Sequence, residues 1–256
     1  MLAAERQSRI ARLITERQSV SVTELCNMFN VSDMTIYRDL RRLEERGILQ
    51  RTHGGAILLK QPPGDLPYYA REHEQVEEKT AIAHLAASLI NDGETIILDA
   101  GTTIASLARM LVHRRDLTVI TNSIHVVNEL AGAPDVTVIN TGGSLWKPTM
   151  SMVGPMAVAA LRRFAVDKAF LATPAISLEA GITNSNLYEA EVKSTMIEIA
   201  REKTLLVDHT TFGRTSYAVV AALSAFDRLI TDDQTPSEAI DHLKEQGLEV
   251  LIATRP

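Results

Sequence analysis

Two helix-start signals stand so close together between residues 21 and 47 that few folds can accommodate them. Ser21-Val-Thr-Glu24 has capping-box spacing, in which the serine hydroxyl accepts from a first-turn N–H and the glutamate reaches back. Val20 is placed to staple against Leu25, and Leu25, Met28 and Phe29 continue as an apolar stripe. Ser32 then opens a second helix, with Val31 placed against Ile36 and Gly47 offering a stop. Only Asn30 and Val31 lie between the two, so the pair must fold as helix, tight turn, helix. Upstream, Ile10, Leu13 and Ile14 mark the buried side of a first helix whose other sides carry Arg6, Arg9, Arg12 and Arg17. Three short amphipathic helices of this kind can close one small core.

The second helix of the pair carries chemistry on its outer face. Ile36, Leu40 and Leu43 recur at helical spacing and must be buried. At about 100° per residue, Met34, Arg38 and Arg41 fall opposite that stripe, flanked by Tyr37 and Arg42. A charge run on a helix usually does no more than solvate it. Here the tight turn before it is the geometry that places a helix in the major groove, and Arg presents a planar fork of donors to phosphate or guanine. After Gly47, Ile48 to Leu58 forms two apolar-flanked runs around Gly54-Gly55, which reads as a hairpin wing. Arg51 and His53 are then its candidate contacts to the sugar-phosphate backbone.

Charge supports the division of labour. The net charge of −6 discourages a nucleic-acid reading until it is split. Residues 1–60 hold ten Lys/Arg against seven Asp/Glu, and the remainder 16 against 25, giving a basic head and an acidic body. DNA binding by the head should weaken as salt rises. The single cysteine, Cys26, excludes an intrachain disulfide and reads as a packed small hydrophobe, which fits a reducing, cytoplasmic setting. There is no apolar signal segment and no stretch of bilayer-spanning length, so no membrane partner is expected.

Lys60-Gln-Pro-Pro-Gly-Asp-Leu-Pro67 forbids a continuous helix or ladder and marks the linker. The expected organisation is a winged helix-turn-helix domain over 1–59, a linker and the start of a bridging helix over 60–78, and a second domain over 79–256. In the latter, short apolar runs alternate with helical patterns: Thr95 to Leu98, Leu117 to Ile120, Val136 to Ile139, Ala169 to Ala172 and Leu205 to Val207. Tyr217 to Val220, Arg228 to Thr231 and Leu248 to Ala253 follow as further strands. This alternation implies an α/β fold of Rossmann-like type, a mostly parallel sheet with helices on both faces. Strand order is not derivable from it.

In such sheets ligands bind outside the carboxyl ends of the strands. The residues there are polar: Asp99, Gly101, Thr102 and Thr103 after the first run, Thr121, Asn122 and Ser123 after the second, and Thr141, Gly142 and Gly143 after the third. Each loop alone could merely cap a helix. Three on one rim favour a phosphate-bearing ligand, because helix N-termini supply free N–H groups and a favourable dipole.

The run Val31-Ser-x-x-Thr-Ile-x-Arg-Asp-Leu40, then Leu43-Glu-x-x-Gly47 and Arg51-x-His-Gly-Gly-Ala56, resembles the DNA-binding half of the DeoR family of bacterial transcriptional regulators. Glu78-Lys79, Leu98-Asp-Ala-Gly-Thr-Thr103, Thr121-Asn-Ser123, Thr141-Gly-Gly143 and Val207-Asp208 follow in the family's order, so the resemblance spans nearly the whole chain. It implies Ser32 and Thr35 as further DNA contacts, double-stranded operator DNA and a phosphorylated sugar as partners, homo-oligomers, and a non-enzymatic regulator, most often a repressor. It also implies a sensor body similar to ribose-5-phosphate isomerase, with Lys79, Glu191, Lys193 and Asp208 as effector-binding candidates. The isomerases carry an acidic motif after the strand corresponding to Ala169 to Ala172; here Thr173-Pro-Ala175 follows, with no carboxylate to move a proton. The alternative, an isomerase-like enzyme with an appended head, lacks that feature, and a head that binds protein instead of DNA would show little salt dependence. Two departures stand out: Thr211 occupies the place of a common lysine, and Ala172 and Ala175 replace frequent glycines. The seven histidines show no metal-ligand spacing, and no nucleotide- or dinucleotide-binding loop is present, so neither metal nor cofactor is expected.

Overall fold

The computed structural model describes residues 2–45, 48–58 and 68–255. The described residues up to Glu74 form one compact unit and those from Gln75 onward another. The expected helix stop at Gly47 and the proline-rich linker at 60–67 lie outside the described residues.

The first unit comprises α1 (Ala3–Arg17), β1 (Ser19–Ser21), α2 (Val22–Phe29), α3 (Asp33–Glu45), β2 (Leu49–Thr52), β3 (Gly55–Leu58) and α4 (Tyr68–Arg71). Ser21 caps α2 by accepting from the Glu24 N–H at 3.1 Å, and Asn30 ends it in the left-handed region at φ 49°. Ile10, Ile14, Leu25, Ile36, Leu40 and Leu43 are buried in one core with Val20, Leu49 and Ala56 from the strands. Met28, read as part of the α2 stripe, is exposed. The wing hairpin forms as expected, and β1, too short to read from sequence, adds a third strand in the order β1-β3-β2.

That strand explains the second wing glycine. A Cβ on Gly55 would lie 2.1 Å from the Val20 carbonyl oxygen, whereas one on Gly54 would meet nothing within 4 Å. Gly55→Ala should therefore destabilise this unit by about 1–3 kcal/mol through overpacking against backbone, with Gly54→Ala close to neutral. Urea unfolding of the two variants makes the comparison, and equal midpoints would contradict the close approach.

The second unit follows α5 (Val76–Ser88), β4 (Thr95–Leu98), α6 (Thr102–Met110), β5 (Leu117–Thr121), α7 (Ile124–Leu130), β6 (Val136–Asn140), β7 (Ser144–Trp146), β8 (Ser151–Val153), α8 (Pro155–Leu161) and β9 (Val166–Ala172). It continues through β10 (Ala175–Ser177), β11 (Gly181–Asn184), α9 (Leu187–Ile199), β12 (Ala200–Leu206), β13 (Ala218–Ala221), β14 (Arg228–Asp232), α10 (Ser237–Glu245) and β15 (Glu249–Ala253). The bridging helix expected to start before residue 78 and to lead into the second domain is broken at Gln75, which sits at φ 49°. Tyr68 is instead buried in the first unit.

Seven strands form a parallel sheet in the order β15-β14-β12-β9-β4-β5-β6. Alternate residues serve opposite faces. Ile97, Ile120, Leu171, Leu205 and Leu229 pack with α8, α9 and α10, while Ile96, Leu98, Val119, Phe170 and Ile230 pack with α5, α6 and α7. Burial on both faces is why these strands read as continuous apolar runs. A smaller antiparallel sheet, β10-β11-β13, covers the first of these faces, and β7 pairs with β8 as a hairpin. Chain order reverses at β4, which lies between β5 and β9, so the topological switch point falls beside the end of β4. Among the described residues no helix is long and apolar enough to cross a membrane.

Candidate nucleic-acid interface and candidate ligand site

Helix α3 presents the face its spacing predicts. Ile36, Leu40 and Leu43 are at most 1% exposed, while Met34 is 68% and Tyr37 38% exposed. Arg38, Arg41 and Arg42 are exposed beside them. At the N-terminal end the Ser32 and Thr35 hydroxyls pair at 3.0 Å, and the Met34 N–H donates to Asp33 Oδ1 at 2.7 Å. The arrangement can offer guanidinium donors, a phenol and a thioether to one groove.

Arg6, placed on an outer side of α1 by its spacing, is instead buried. Its Nε donates to Asp39 Oδ2 at 2.6 Å, and Gln7 Nε2 donates to Asp39 Oδ1 at 2.8 Å. Asp39 is thus buried one residue from exposed Arg38 and ties α3 to α1.

The wing differs in a similar way. Arg51, expected to reach the DNA backbone, is held by Glu44 of α3: its N–H donates to Oε1 at 3.0 Å and its Nε to Oε2 at 2.6 Å. The Arg51 backbone N–H, then its guanidinium, hold the Glu44 carboxyl below its usual range. Arg51 therefore braces the wing against α3, with its charge already paired. His53 stands exposed in the turn.

In the second unit the expected polar loops lie at the carboxyl ends of β4, β5 and the edge strand β6. Asp99, fully buried, accepts at Oδ2 from the Ala172 N–H at 3.1 Å and from Lys193 Nζ. Lys193 Nζ donates also to the Ala172 carbonyl at 2.8 Å. A charged pair thus joins the end of β4 to α9 at the switch point, with both partners bonded to the backbone at the end of β9. Both backbone groups of Ala172, where the family often has glycine, take part. Gly101 lets α6 approach closely, since a Cβ there would be 3.2 Å from that of Ala172, and Thr102 and Thr103 form the first turn of α6.

Thr121 Oγ1 accepts from the Ser123 N–H at 3.0 Å, Ser123 Oγ accepts from the Val126 N–H to cap α7, and Asn122 Nδ2 donates to the Met152 carbonyl at 3.2 Å. Gly142 and Gly143 turn the chain at φ 65° and 118°, and a Cβ on Gly143 would meet the Val153 carbonyl at 2.7 Å. Lys79 is buried on α5, unlike a solvated helical lysine. Asp208 Oδ1 accepts from the Thr210 N–H at 3.0 Å, and the buried Thr211 hydroxyl donates to the Asp208 carbonyl. Thr173 spends its hydroxyl on the Ala175 and Thr183 carbonyls at 3.0 and 3.1 Å.

Glu191 is not brought to this cluster. It is exposed on α9, about 200° around the helix from Lys193. The buried carboxylate of α9 is Glu189, which accepts at Oε1 from Ser151 Oγ at 2.9 Å and from Thr149 Oγ1. Glu189 and Lys193 are four residues apart and share a face; that spacing was the available signal. The hairpin β7–β8 that supplies Thr149 and Ser151 carried none. Also unread was a pairing at the next strand ends, where His209 Nδ1 lies 2.9 Å from Asp232 Oδ1.

Residues 6–62 match the family model of the DeoR-like helix-turn-helix domain, and residues 74–233 match that of the DeoR C terminal sensor domain. The chain belongs to the DeoR family. It is a DNA-binding transcriptional regulator, in keeping with relatives that carry that name. The HTH-type transcriptional regulator YulB of Bacillus subtilis (strain 168) is 37% identical over 98% of this chain and 96% of its own. The transcriptional repressor AccR of Agrobacterium fabrum is 36% identical over 90% of each. Among solved structures, ribose 5-phosphate isomerase A of Methanocaldococcus jannaschii is 18% identical with a TM-score of 0.39, covering 52% of this chain and 53% of that one. This exposed face of α3 lies within the matched DeoR-like helix-turn-helix domain, and most of the α/β unit within the matched sensor domain.

Proposed function

We propose that this regulator is a repressor whose affinity for its operator is modulated by a phosphorylated sugar bound at the carboxyl-end rim of the sensor unit. The observation that carries the reading is the convergence there of the first turn of α6, bearing Thr102 and Thr103, with the buried Asp99–Lys193 pair at the switch point. A helix N-terminus favours an anion, and a buried lysine supplies nearby positive charge. Repression accords with the name of the AccR relative. The ligand acts by binding one arrangement of the protein better than another. Spacing two recognition helices on successive half-sites further requires a homo-oligomer.

The DNA side is tested with fluorescence anisotropy on duplex DNA from the regulator's own promoter region. Arg38→Ala and Arg41→Ala should each weaken binding about 5- to 100-fold, the cost of a lost base or phosphate contact, with unfolding midpoints unchanged. Wild-type affinity in both variants would remove α3 from the groove. A thermal-shift screen of phosphorylated sugars tests the ligand side, and no shift across pentose and hexose phosphates would contradict it.

A further inference from the structure

Two acceptor atoms at the rim take no part in the hydrogen bonds around them. Among the described residues, Asp99 Oδ1 and Asn122 Oδ1 are buried and accept no hydrogen bond. In each case the other polar atom of the side chain is committed. Asp99 Oδ2 holds the Ala172 N–H and Lys193, and Asn122 Nδ2 holds the Met152 carbonyl. The two are not scattered orphans. The parallel register ends at Leu98↔Thr121, so Asp99 and Asn122 are the next residues on two neighbouring strands, which run about 5 Å apart.

A closed circuit of contacts holds them there. Asp99 is bonded to Lys193 of α9, and Glu189 one turn earlier on α9 to Thr149 and Ser151 of the hairpin. Met152 of the hairpin donates its N–H to the Asn122 carbonyl at 2.7 Å, and the β4–β5 register closes the ring. Neither acceptor can swing out to solvent without breaking a bond its own side chain already makes. Buried acceptors left unpaired carry their full desolvation cost.

The chemistry of a pair of fixed acceptors selects what can satisfy them. Phosphate and carboxylate oxygens bring further acceptors and would face the Asp99 carboxylate. An ammonium group would compete with Lys193 for the same carboxylate. Two neighbouring hydroxyls donate to both atoms and add no charge. We propose that Asp99 Oδ1 and Asn122 Oδ1 receive hydroxyls on adjacent carbons of the ligand, making these two residues the ones that read its polyol portion. The anionic group then lies elsewhere on the rim. This deepens the sugar-phosphate reading and rests on it for the identity of the ligand class.

The test uses the full chain and isothermal titration. A panel of pentose and hexose phosphates, the corresponding unphosphorylated sugars, and inorganic phosphate are titrated first. The tightest binder is then compared with its single-deoxy analogues. Two analogues, deoxygenated at adjacent carbons, should each bind at least tenfold more weakly than the parent, because a site built around a hydroxyl leaves its partner unpaired when the hydroxyl is missing. Asn122→Ala should abolish the penalty for one of those two analogues while Asn122→Asp, which keeps an acceptor at that position, retains it. Circular dichroism and unfolding midpoints establish that both variants are folded. If every deoxy analogue binds as tightly as its parent, or if Asn122→Ala keeps both penalties, the acceptor assignment falls while the sugar-phosphate reading stands. If no phosphorylated sugar binds but an unphosphorylated one does, with the same two penalties, the phosphate reading falls and the acceptor assignment stands. Binding by inorganic phosphate alone, or by nothing in the panel, overturns the acceptor assignment.

Discussion

Asp39→Ala is expected to lower the stability of the DNA-binding unit by about 3–5 kcal/mol, the usual consequence of removing one partner from a buried ion pair. Arg6 and Asp39 have side chains only 9% and 2% exposed, so solvent screens little of the interaction. The carboxylate also accepts from Gln7, and the variant therefore leaves a guanidinium and a carboxamide buried without that acceptor. A unit of this size holds only about 3–10 kcal/mol in all, so the variant should be largely unfolded near physiological temperature. Urea unfolding followed by amide exchange in α1 and α3 measures it. Loss of DNA binding should accompany the unfolding, whereas Arg38→Ala loses binding alone, and that contrast separates support of the helix from contact with the groove. Arg6→Met combined with Asp39→Leu should recover most of the lost stability, since buried pairs replaced by apolar side chains are often neutral. A single Asp39→Ala variant within about 1 kcal/mol of the parent would mean the pair is not desolvated, and would return Arg6 to the outer side of α1 where its spacing placed it.

Arg6 shows where reading from sequence stopped and why. Helical periodicity separates apolar from polar, so it finds Ile36, Leu40 and Leu43 at once. It has no means of seeing that two charged residues 33 positions apart neutralise each other. Arg51 and Glu44 escaped for the same reason. The central strands were legible to within a few residues because both faces are buried and the runs are mostly apolar. The strands of the hairpin β7–β8, of β1 and of β10 are three residues each, too few to establish a period. The strand order was out of reach because it is a tertiary fact, yet it is what singles out the end of β4 among three similar polar loops. On α9, Glu191 was carried over by resemblance and is exposed, while Glu189, at i, i+4 spacing to Lys193, is the buried carboxylate. At Gln75 the break came from a left-handed glutamine, with no glycine or proline beside it to announce a stop.

Lys193→Met is expected to cost the sensor unit about 3–5 kcal/mol, because it strands the Asp99 carboxylate in an interior it reaches only as half of a pair. The lysine and aspartate side chains are 5% and 1% exposed. The structure carries its own control. Lys168 of β9 and Glu94, which precedes β4, form a second lysine–carboxylate pair at the opposite end of the central strands, with Nζ 2.6 Å from Oε1 and side chains 13% and 18% exposed. If buried pairs here served stability alone, the two would behave alike: single variants destabilise, and apolar or neutral double replacements recover. Asp99→Asn with Lys193→Met should indeed regain stability to within about 1–2 kcal/mol of the parent, as should Lys168→Met with Glu94→Gln. They should differ in response to ligand. The pair beside Thr102 and Thr103 carries the acceptor at the proposed site, so its double variant should lose the thermal shift given by the best-binding sugar phosphate, while the Lys168 and Glu94 double variant keeps it. A switch-point double variant that is stable and still shifts with ligand would make Asp99 and Lys193 scaffold only. The ligand's charge would then have to be met by Lys79, the other buried lysine of this unit among the described residues.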